Sequence, residues 1–309
     1  MALLPSNPDR ETYALVRSNP AAWISEIEEI ARAHRLGGVI VPFAKGSNLV
    51  AAIGAQWVVK LFPPFLRHQF VSERAALIRL AGALSVSIPA VAHEGEREAW
   101  PYLVLSRLSG TLGEDAWPQL SASAKSAILG RVGGLIAEVH SLAPGSLLAL
   151  EPQWPAFVEA QIAGCHARHE RLGLPPRLLE GLEAFVAESR SLIPHEPVVI
   201  LTGEYVPENL LLEGEDITGH IDFGDVMTGW REYDLLGPSL FMAPGNTSLL
   251  RALFSGYGIV FDEPLRRRLM LLWLLHRHAD LPHQLRLEGW ATARSLAELE
   301  SRIWPLRAT

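Results

Sequence analysis

The stretch that decides the fold is Leu201–Asp225, LTGEYVPENLLLEGEDITGHIDFGD, which is rich in acidic residues. The apolar segments NLLL and ITGHID flank EGED, whose acidic residues and glycine are typical of a turn, so the sequence predicts a β-hairpin. An antiparallel hairpin would bring Asn209, at the start of the first strand, close to Asp222, at the end of the second. An amide oxygen and a carboxylate at one point are suitable ligands for Mg²⁺. The alternative is an acidic surface hairpin in which Asn209 only serves the turn.

Glu204 precedes Asn209 in a loop that enters the same edge of the predicted hairpin. Its carboxylate could accept a proton from a substrate hydroxyl group. The hairpin therefore predicts a proton acceptor close to a cation site.

A second pair of charged residues stands in the N-terminal half. Lys60 lies in the apolar strand pattern QWVVKLF, and Glu73 shares one face of a predicted helix with Phe70, Leu77 and Leu80. A carboxylate on an apolar face needs a partner when it is buried, and we expect Lys60 to be that partner. Such a pair holds an ammonium group ready for nucleotide phosphates. The alternatives are a salt bridge that only supports the fold, or a lysine that reaches solvent.

The order of patterns along the chain predicts an α+β fold in two lobes. Residues 1–105 contain a helical extension over 1–36, with an amphipathic helix at 20–35, and a second helix at about 67–83. Their apolar runs are typical of strands in an antiparallel sheet: GGVIVPF, NLVAAIG, QWVVKLF, IPAVAHEG and AWPYLVLSRLSG. Residues 106–110 are a predicted inter-lobe link. Residues 111–309, apart from the hairpin, have helical patterns and form the predicted catalytic and acceptor-binding lobe.

Composition narrows the class of protein. The chain has 309 residues, 49% of them hydrophobic, and a net charge of −7, which argues against a dedicated nucleic-acid binder. Residues 1–109 carry 11 basic and 9 acidic side chains, and residues 110–309 carry 16 basic and 25 acidic ones. The sequence has no long apolar run typical of a membrane span and no secretory signal pattern. With a single cysteine, Cys165, a cytoplasmic location is expected.

The motifs EYVPEN and IDFGD, followed by REYDLL, resemble the aminoglycoside phosphotransferases and related small-molecule kinases, which share the protein-kinase-like fold. That family has His-Gly-Asp, an asparagine and Ile-Asp-Phe or Ile-Asp-Trp at a spacing kept here by Thr202-Gly203-Glu204, Asn209 and Ile221-Asp222-Phe223. VVKLF is similar to the family's lysine strand and SERAALIRL to its glutamate helix. The resemblance covers roughly residues 40–240 in order.

The resemblance implies a Mg²⁺-dependent O-phosphotransferase that uses ATP or GTP. Lys60 would orient the nucleotide phosphates and Glu73 would hold Lys60. Asn209 and Asp222 would bind Mg²⁺, and Glu204 would be the catalytic base. The segment from Ser106 to Leu108 would offer backbone groups to adenine, and Asp234 would brace the catalytic loop. The phosphate-covering loop matches loosely, and its candidates are Gly46, Ser47 and Asn48.

Two residues depart from the family pattern. Thr202 replaces a histidine that braces the loop, and Glu204 replaces aspartate, which lengthens the side chain by about 1.5 Å. A misplacement of about 1 Å can cost on the order of 10²-fold in rate. The carboxylate is kept, however, as are Lys60, Glu73 and the two metal candidates, which favours an active enzyme. The alternative is a catalytically silent relative that only binds nucleotide.

The acceptor is implied only by the resemblance and by charge. An acidic C-terminal half suits a cationic aminoglycoside, which would make the protein an antibiotic-resistance enzyme, and choline or homoserine are alternatives. Candidate acidic contacts are Asp225, Glu232, Glu170 and Asp280. We expect a small-molecule substrate, no nucleic acid or membrane partner, and a monomer or dimer.

His276 and His278 lie in a pattern that predicts helix, where residues two apart point to different sides. We therefore expect no metal site there. Cys165 is expected to be a packed residue rather than a nucleophile.

Overall fold

The computed structural model describes residues 4–194, 196–203 and 205–307, which form two compact units. The first unit contains the chain up to Ala83, Ser87–Ser109 and Gly219–Val226. The second contains Leu84–Val86, Gly110–Thr218 and the chain from Met227. The boundary after Ser109 falls within the predicted link, whereas the segment with Asp222, predicted for the C-terminal lobe, groups with the first unit. Gly219 forms a parallel bridge with Ser87 there.

The first unit is built on a five-stranded antiparallel sheet of order β1-β2-β3-β5-β4. Its strands are β1 (Ile40–Pro42), β2 (Leu49–Ile53), β3 (Trp57–Leu61), β4 (Val91–Arg97) and β5 (Trp100–Ser106). Its helices are α1 (Arg10–Ser18), α2 (Ile24–Ala33) and α3 (Arg67–Leu80). The sequence predicted α2, α3 and all five strands but not α1, which starts at the cap Asp9, whose carboxylate accepts the Thr12 N–H.

The core of this unit explains why β3 can carry a lysine. Val59 and Leu61 are fully buried in a cluster that also contains Ile27 from α2 and Trp23, which precedes that helix. Because side chains alternate along a strand, Lys60 points to the opposite face of the sheet. The strand thus fills the core with one face and presents a charge on the other.

The second unit is mainly helical and has two small sheets. Its helices are α4 (Gly113–Ala116), α5 (Ala122–Ser141), α6 (Trp154–Arg171), α7 (Pro176–Leu179), α8 (Leu182–Ser189), α9 (Leu236–Phe241), α10 (Thr247–Tyr257), α11 (Glu263–Leu274), α12 (Leu281–Gln284) and α13 (Leu296–Ile303). The strands are β6 (Thr111–Leu112), β7 (Val199–Leu201), β8 (Leu210–Glu213), β9 (Asp216–His220) and β10 (Met227–Gly229), in the orders β6-β8-β9 and β10-β7. The predicted α+β class is confirmed, and the predicted hairpin is β8–β9.

Helices α5 and α10 pack backbone to backbone through glycines. A Cβ atom on Gly133 would lie 2.6 Å from the Tyr257 nitrogen and closer still to the Leu253 carbonyl oxygen. A Cβ atom on the neighbouring Gly134 would lie 3.9 Å from the Gly256 carbonyl oxygen, an ordinary contact. Gly133 is therefore one of the glycines that allow the two helices to approach this closely.

Helix α11 ends at Leu274, so His276 and His278 lie beyond it, and the prediction that they share a helix is wrong. The His278 N–H donates to His276 Nδ1 at 3.2 Å in the turn that follows. Among residues 4–194, 196–203 and 205–307, no group of three His, Cys, Asp or Glu side chains is placed to hold a metal. No helix in those ranges is long and apolar enough to cross a membrane.

Leu274 is also where α6 meets α11. Its carbonyl oxygen accepts hydrogen bonds from Arg168 at 2.8 Å and from His169 Nε2 at 2.9 Å. Cys165, buried beside it, has a pKa raised to about 11 by burial, which keeps the thiol protonated at neutral pH. His169 is fully buried, and its Nδ1 has no hydrogen-bond partner in the part of the chain that the structure describes.

This environment predicts a loss of stability in mild acid. Burial, aided by Arg168 and opposed by the Leu274 bond, lowers the pKa of His169 below its ordinary value of about 6.5. As the pH falls below about 6.5, the unfolded chain takes up a proton that the folded chain refuses, so the free energy of unfolding decreases. Urea unfolding at about pH 7.5 and about pH 5.5 measures this decrease. In His169→Gln, which keeps a donor for Leu274, the decrease should be smaller, and an equal decrease would assign it to other groups.

Candidate active site

A buried lysine and two carboxylates form the centre of the candidate site in the first unit. Lys60 Nζ lies 2.6 Å from Glu73 Oε2 and 2.8 Å from Asp222 Oδ1. The side chains of Lys60 and Glu73 are 7% and 2% exposed, whereas that of Asp222 is 39% exposed. The structure thus brings together three residues that the sequence singled out, and only Asp222 faces solvent.

Local structure explains this arrangement. Alternation along β3 and onward puts Lys60 on the same side as Phe62, whose ring centroid is 5.4 Å from the ammonium. Glu73 lies on the buried face of α3 together with Ala76 and Leu77. The contact of Lys60 with Glu73 is an ion pair without good hydrogen-bond geometry, since Oε2 lacks a well-directed donor among the described residues. The contact with Asp222 is a hydrogen bond as well as an ion pair.

Burial and neighbouring charges shift the pKa values of Lys60 and Glu73. Burial alone would lower the pKa of Lys60, but Asp222 and Glu73 together outweigh burial, and the net shift is upward. Burial raises the pKa of Glu73. The charge of Lys60 lowers it and the like charge of Asp222 raises it, and the net shift is upward. Lys60 is therefore a firmly held ammonium at neutral pH.

Asp222 stands in a backbone conformation that few residues adopt. Its φ is 66°, in the left-handed region, which aspartate tolerates better than most side chains. The Gly224 N–H donates to Asp222 Oδ1 at 3.3 Å, so the segment bends back on the carboxylate. A partly exposed carboxylate held in this way suits Mg²⁺, which takes oxygen ligands.

Gln69 links Asp225 to the loop of residues 43–48 by hydrogen bonds within the first unit. Asn48 Nδ2 donates to Gln69 Oε1 at 3.2 Å, and Gln69 Nε2 donates to Asp225 Oδ1 at 3.3 Å. Gly46 and Ser47 are exposed in the loop, and Asn48 is buried. The sequence missed Gln69, because a single glutamine on a helix gives no signal of its partners.

Ser106 and Leu108, the two residues predicted to face adenine, differ in whether their backbone groups already make hydrogen bonds. The Ser106 N–H donates to the Ala90 carbonyl oxygen at 2.9 Å, and the Ser106 hydroxyl oxygen accepts the Ala90 N–H. Leu108 is half-buried, and its N–H and carbonyl make no hydrogen bond within residues 4–194, 196–203 and 205–307. Of the two, Leu108 therefore has the backbone groups that could pair with a base.

In the second unit, Asp234 holds the segment that precedes Glu204. Its Oδ1 accepts the Gly203 N–H at 2.7 Å, and its Oδ2 accepts the Thr202 N–H at 3.0 Å. Thr202 is fully buried. Glu204 itself lies outside the described residues, so its role as catalytic base stays a prediction.

His140, which the sequence analysis did not single out, supports Asp234. Its Nε2 lies 3.1 Å from Asp234 Oδ2 and its Nδ1 lies 2.9 Å from the Tyr257 hydroxyl. A carboxylate only accepts, so Nε2 carries the hydrogen, and in the neutral ring Nδ1 accepts from Tyr257. The family pattern has a histidine at position 202 that braces the loop. In this chain, position 202 is a threonine, and a histidine from α5 contacts Asp234.

The remaining predicted contacts have mixed outcomes. Asn209 is buried in the second unit and Asp222 belongs to the first, so their meeting at one cation stays a prediction.

Glu232 is fully buried, and its oxygens accept two bonds from Arg268, at 2.7 and 2.8 Å, and one from Trp230. The sequence could not reveal Arg268, and the geometry makes Glu232 a structural ion pair rather than an open substrate contact. Glu170 is exposed, and Asp280 accepts from His283.

Comparison with known proteins gives a family match over most of the chain. The profile of the family described as "Phosphotransferase enzyme family" matches residues 39–272. The matched region contains Lys60, Glu73, Asp222 and Asp234. Helices α1, α2, α12 and α13 lie outside it.

Solved structures of similar fold have low sequence identity to this chain. The GDP complex of wild-type aminoglycoside 2'-phosphotransferase-IIIa is 16% identical, with 90% of this chain and 97% of that chain covered and a TM-score of 0.70. Macrolide 2'-phosphotransferase MphH from Brachybacterium faecium is 21% identical, with coverage of 92% and 100% and a TM-score of 0.62. The streptomycin-ATP complex of APH(2")-IIa is 15% identical, with coverage of 82% and 90% and a TM-score of 0.61. These similarities show a shared fold.

Proposed function

The chain belongs to the phosphotransferase enzyme family, and we propose that it moves the γ-phosphoryl group of ATP or GTP to a hydroxyl group of a small cationic molecule. The observation that carries this proposal is the buried Lys60, held between Glu73 and Asp222. An ammonium has three N–H donors, of which Asp222 accepts one in a hydrogen bond, while Glu73 pairs with the charge without a well-directed hydrogen bond. A remaining N–H can bind an oxygen of the nucleotide phosphates, which is the use that phosphoryl transfer makes of such a lysine.

In the proposed reaction, the acceptor oxygen forms a bond to the γ-phosphorus as the bond to the β–γ bridging oxygen breaks. Glu204 takes the proton of the acceptor hydroxyl, and the nucleoside diphosphate leaves with the bridging oxygen. Asp234 supports this role, because it fixes the backbone of Thr202 and Gly203 immediately before Glu204.

Asp222 and Asn209 are the residues that would hold Mg²⁺. Bound there, Mg²⁺ would neutralise charge on the phosphate oxygens. The chemistry of the donors fits, because Asp222 presents a partly exposed carboxylate and both side chains bind through oxygen.

An aminoglycoside is the proposed acceptor. The excess of acidic residues in 110–309 suits a polycation, and several solved structures of similar fold are aminoglycoside phosphotransferases. A macrolide is the second candidate, since a solved structure of similar fold, which covers 92% of this chain, is a macrolide 2'-phosphotransferase. Choline and homoserine, a silent nucleotide-binding role, a cytoplasmic location and a monomeric or dimeric state stay predictions.

The test is an acceptor panel with Mg-ATP and Mg-GTP, containing aminoglycosides, a macrolide, choline and homoserine, with product detected by mass spectrometry. We expect phosphorylation of an aminoglycoside. Glu204→Gln should lower turnover about 10²-fold or more, because the proton acceptor is lost, while nucleotide binding persists.

Two outcomes would contradict parts of this proposal. Wild-type turnover in Glu204→Gln would remove Glu204 from the mechanism. A wild-type protein that binds nucleotide but phosphorylates no member of the panel would support the silent relative instead.

A further inference from the structure

Helix α1 contacts the candidate phosphate loop, residues 43–48, through two side chains. The Tyr13 hydroxyl donates to the Ser47 carbonyl oxygen at 2.7 Å, and the Arg17 guanidinium donates to the Gly46 carbonyl oxygen. Both contacts lie within the first unit. Helix α1 precedes the region that the family profile matches, which begins at residue 39.

These bonds fix the direction of the loop's peptide groups. In a trans peptide the N–H of one residue points opposite to the carbonyl of the residue before it. With the Gly46 and Ser47 carbonyls bound by α1, the N–H groups of Ser47 and Asn48 must point away from α1. Neither N–H has a hydrogen-bond partner in the part of the chain that the structure describes. Successive unpaired N–H groups are suitable donors to a phosphate.

On the helix side of this contact, Tyr13 is packed in the core of the first unit. Tyr13 is 7% exposed, and its ring packs against Phe65 and Trp100, with centroids 5.4 and 5.8 Å away. On the other side of the loop, Asn48 is tied to Gln69. Gly46, with a φ of 101°, would let the loop adopt other conformations if one of its hydrogen bonds to α1 or to Gln69 were lost.

We propose that Tyr13 and Arg17 are positioning residues that direct the N–H groups of Ser47 and Asn48 toward the phosphates of the bound nucleotide. This inference rests on the proposed function. Through these two residues, α1 sets the affinity of the enzyme for the phosphate chain and leaves recognition of the nucleoside to other groups.

The test compares nucleotide and nucleoside binding in Tyr13→Phe, Arg17→Gln and the double variant. Each single change should weaken ATP and ADP binding about fivefold and the double change about 25-fold, as expected for loss of one and two hydrogen bonds. Adenosine affinity should not change. Calorimetry measures the affinities, with guanosine, GDP and GTP used if the wild type prefers guanine.

Matched controls separate positioning from general destabilisation. Tyr102→Phe removes a phenol hydroxyl that is equally buried but bonds to His34, and Arg32→Gln removes an exposed arginine that pairs with Glu29. Both controls should bind ATP like the wild type. Thermal unfolding without nucleotide shows that every variant is folded, and Arg17→Gln, an exposed change, provides the test if Tyr13→Phe proves unstable.

Two results would overturn the inference. Unchanged ATP affinity in the folded double variant, or an equal loss for ATP and adenosine, would overturn it alone and leave the proposed function standing. A wild type that binds no nucleotide would overturn the proposed function and this inference together.

Discussion

Lys60→Met should lower kcat/KM about 10²–10³-fold, the loss expected when one donor to a charged transition state is removed. The variant loses the ammonium that Glu73 and Asp222 hold, so no group replaces its contact with the phosphates. It should also be less stable by about 3 kcal/mol, because a buried carboxylate loses its partner. Steady-state kinetics with Mg-ATP or Mg-GTP and urea unfolding measure the two effects.

A second change separates the two effects. In Lys60→Met/Glu73→Gln the buried carboxylate is replaced by a neutral amide, so much of the lost stability should return. Activity should stay at the level of Lys60→Met. Recovery of activity in the double variant would mean that Lys60 supports the fold and does not act on the phosphates.

Gly133→Ala should destabilise the protein by about 3 kcal/mol, the upper end of what overpacking usually costs. The added methyl group would overlap the α10 backbone at Leu253 and Tyr257, which cannot rotate away as a side chain can. The helices must separate, and His140 on α5 would then lose its hydrogen bond to Tyr257 on α10. We therefore expect turnover to fall along with stability.

Gly134→Ala is the matched control, one residue along the same helix. Its methyl group would lie 3.9 Å from the Gly256 carbonyl oxygen, so it fits without displacement. Alanine also favours a helix over glycine by about 1 kcal/mol, so this variant should be as stable as the wild type or more stable. Similar unfolding free energies for the two variants would contradict the close contact of α5 and α10.

The periodicity of apolar residues, and the glycine, proline and polar residues that bound each apolar run, were sufficient to predict most of the fold. The five strands of the first sheet are short apolar runs bounded by glycine, proline or polar residues, and each was located from that pattern. Strands β7 and β10 have three residues each and lie in a region whose other patterns are mostly helical, and they were not predicted. Helix α1 has nine residues, of which only Tyr13 is buried, and it was not predicted.

The site was predictable where a charge stood in an apolar pattern, as with Lys60 and Glu73. It was not predictable where the partner lies far along the chain. His140 and Asp234 are 94 residues apart, and nothing in the sequence links them. Glu232 shows the opposite error, since a carboxylate that looked available for a cationic substrate already has Arg268 as its partner.

The left-handed backbone at Asp222 also bears on how this lineage can lose its activity. Both aspartate codons are a single base change away from codons for glycine and for asparagine, the two residues that accept a positive φ with least strain. Either change removes the carboxylate that is proposed to bind the metal while leaving the local chain path intact. Descendants that are folded, stable and inactive are therefore only one mutation away, and sequencing this codon in related genes would identify them.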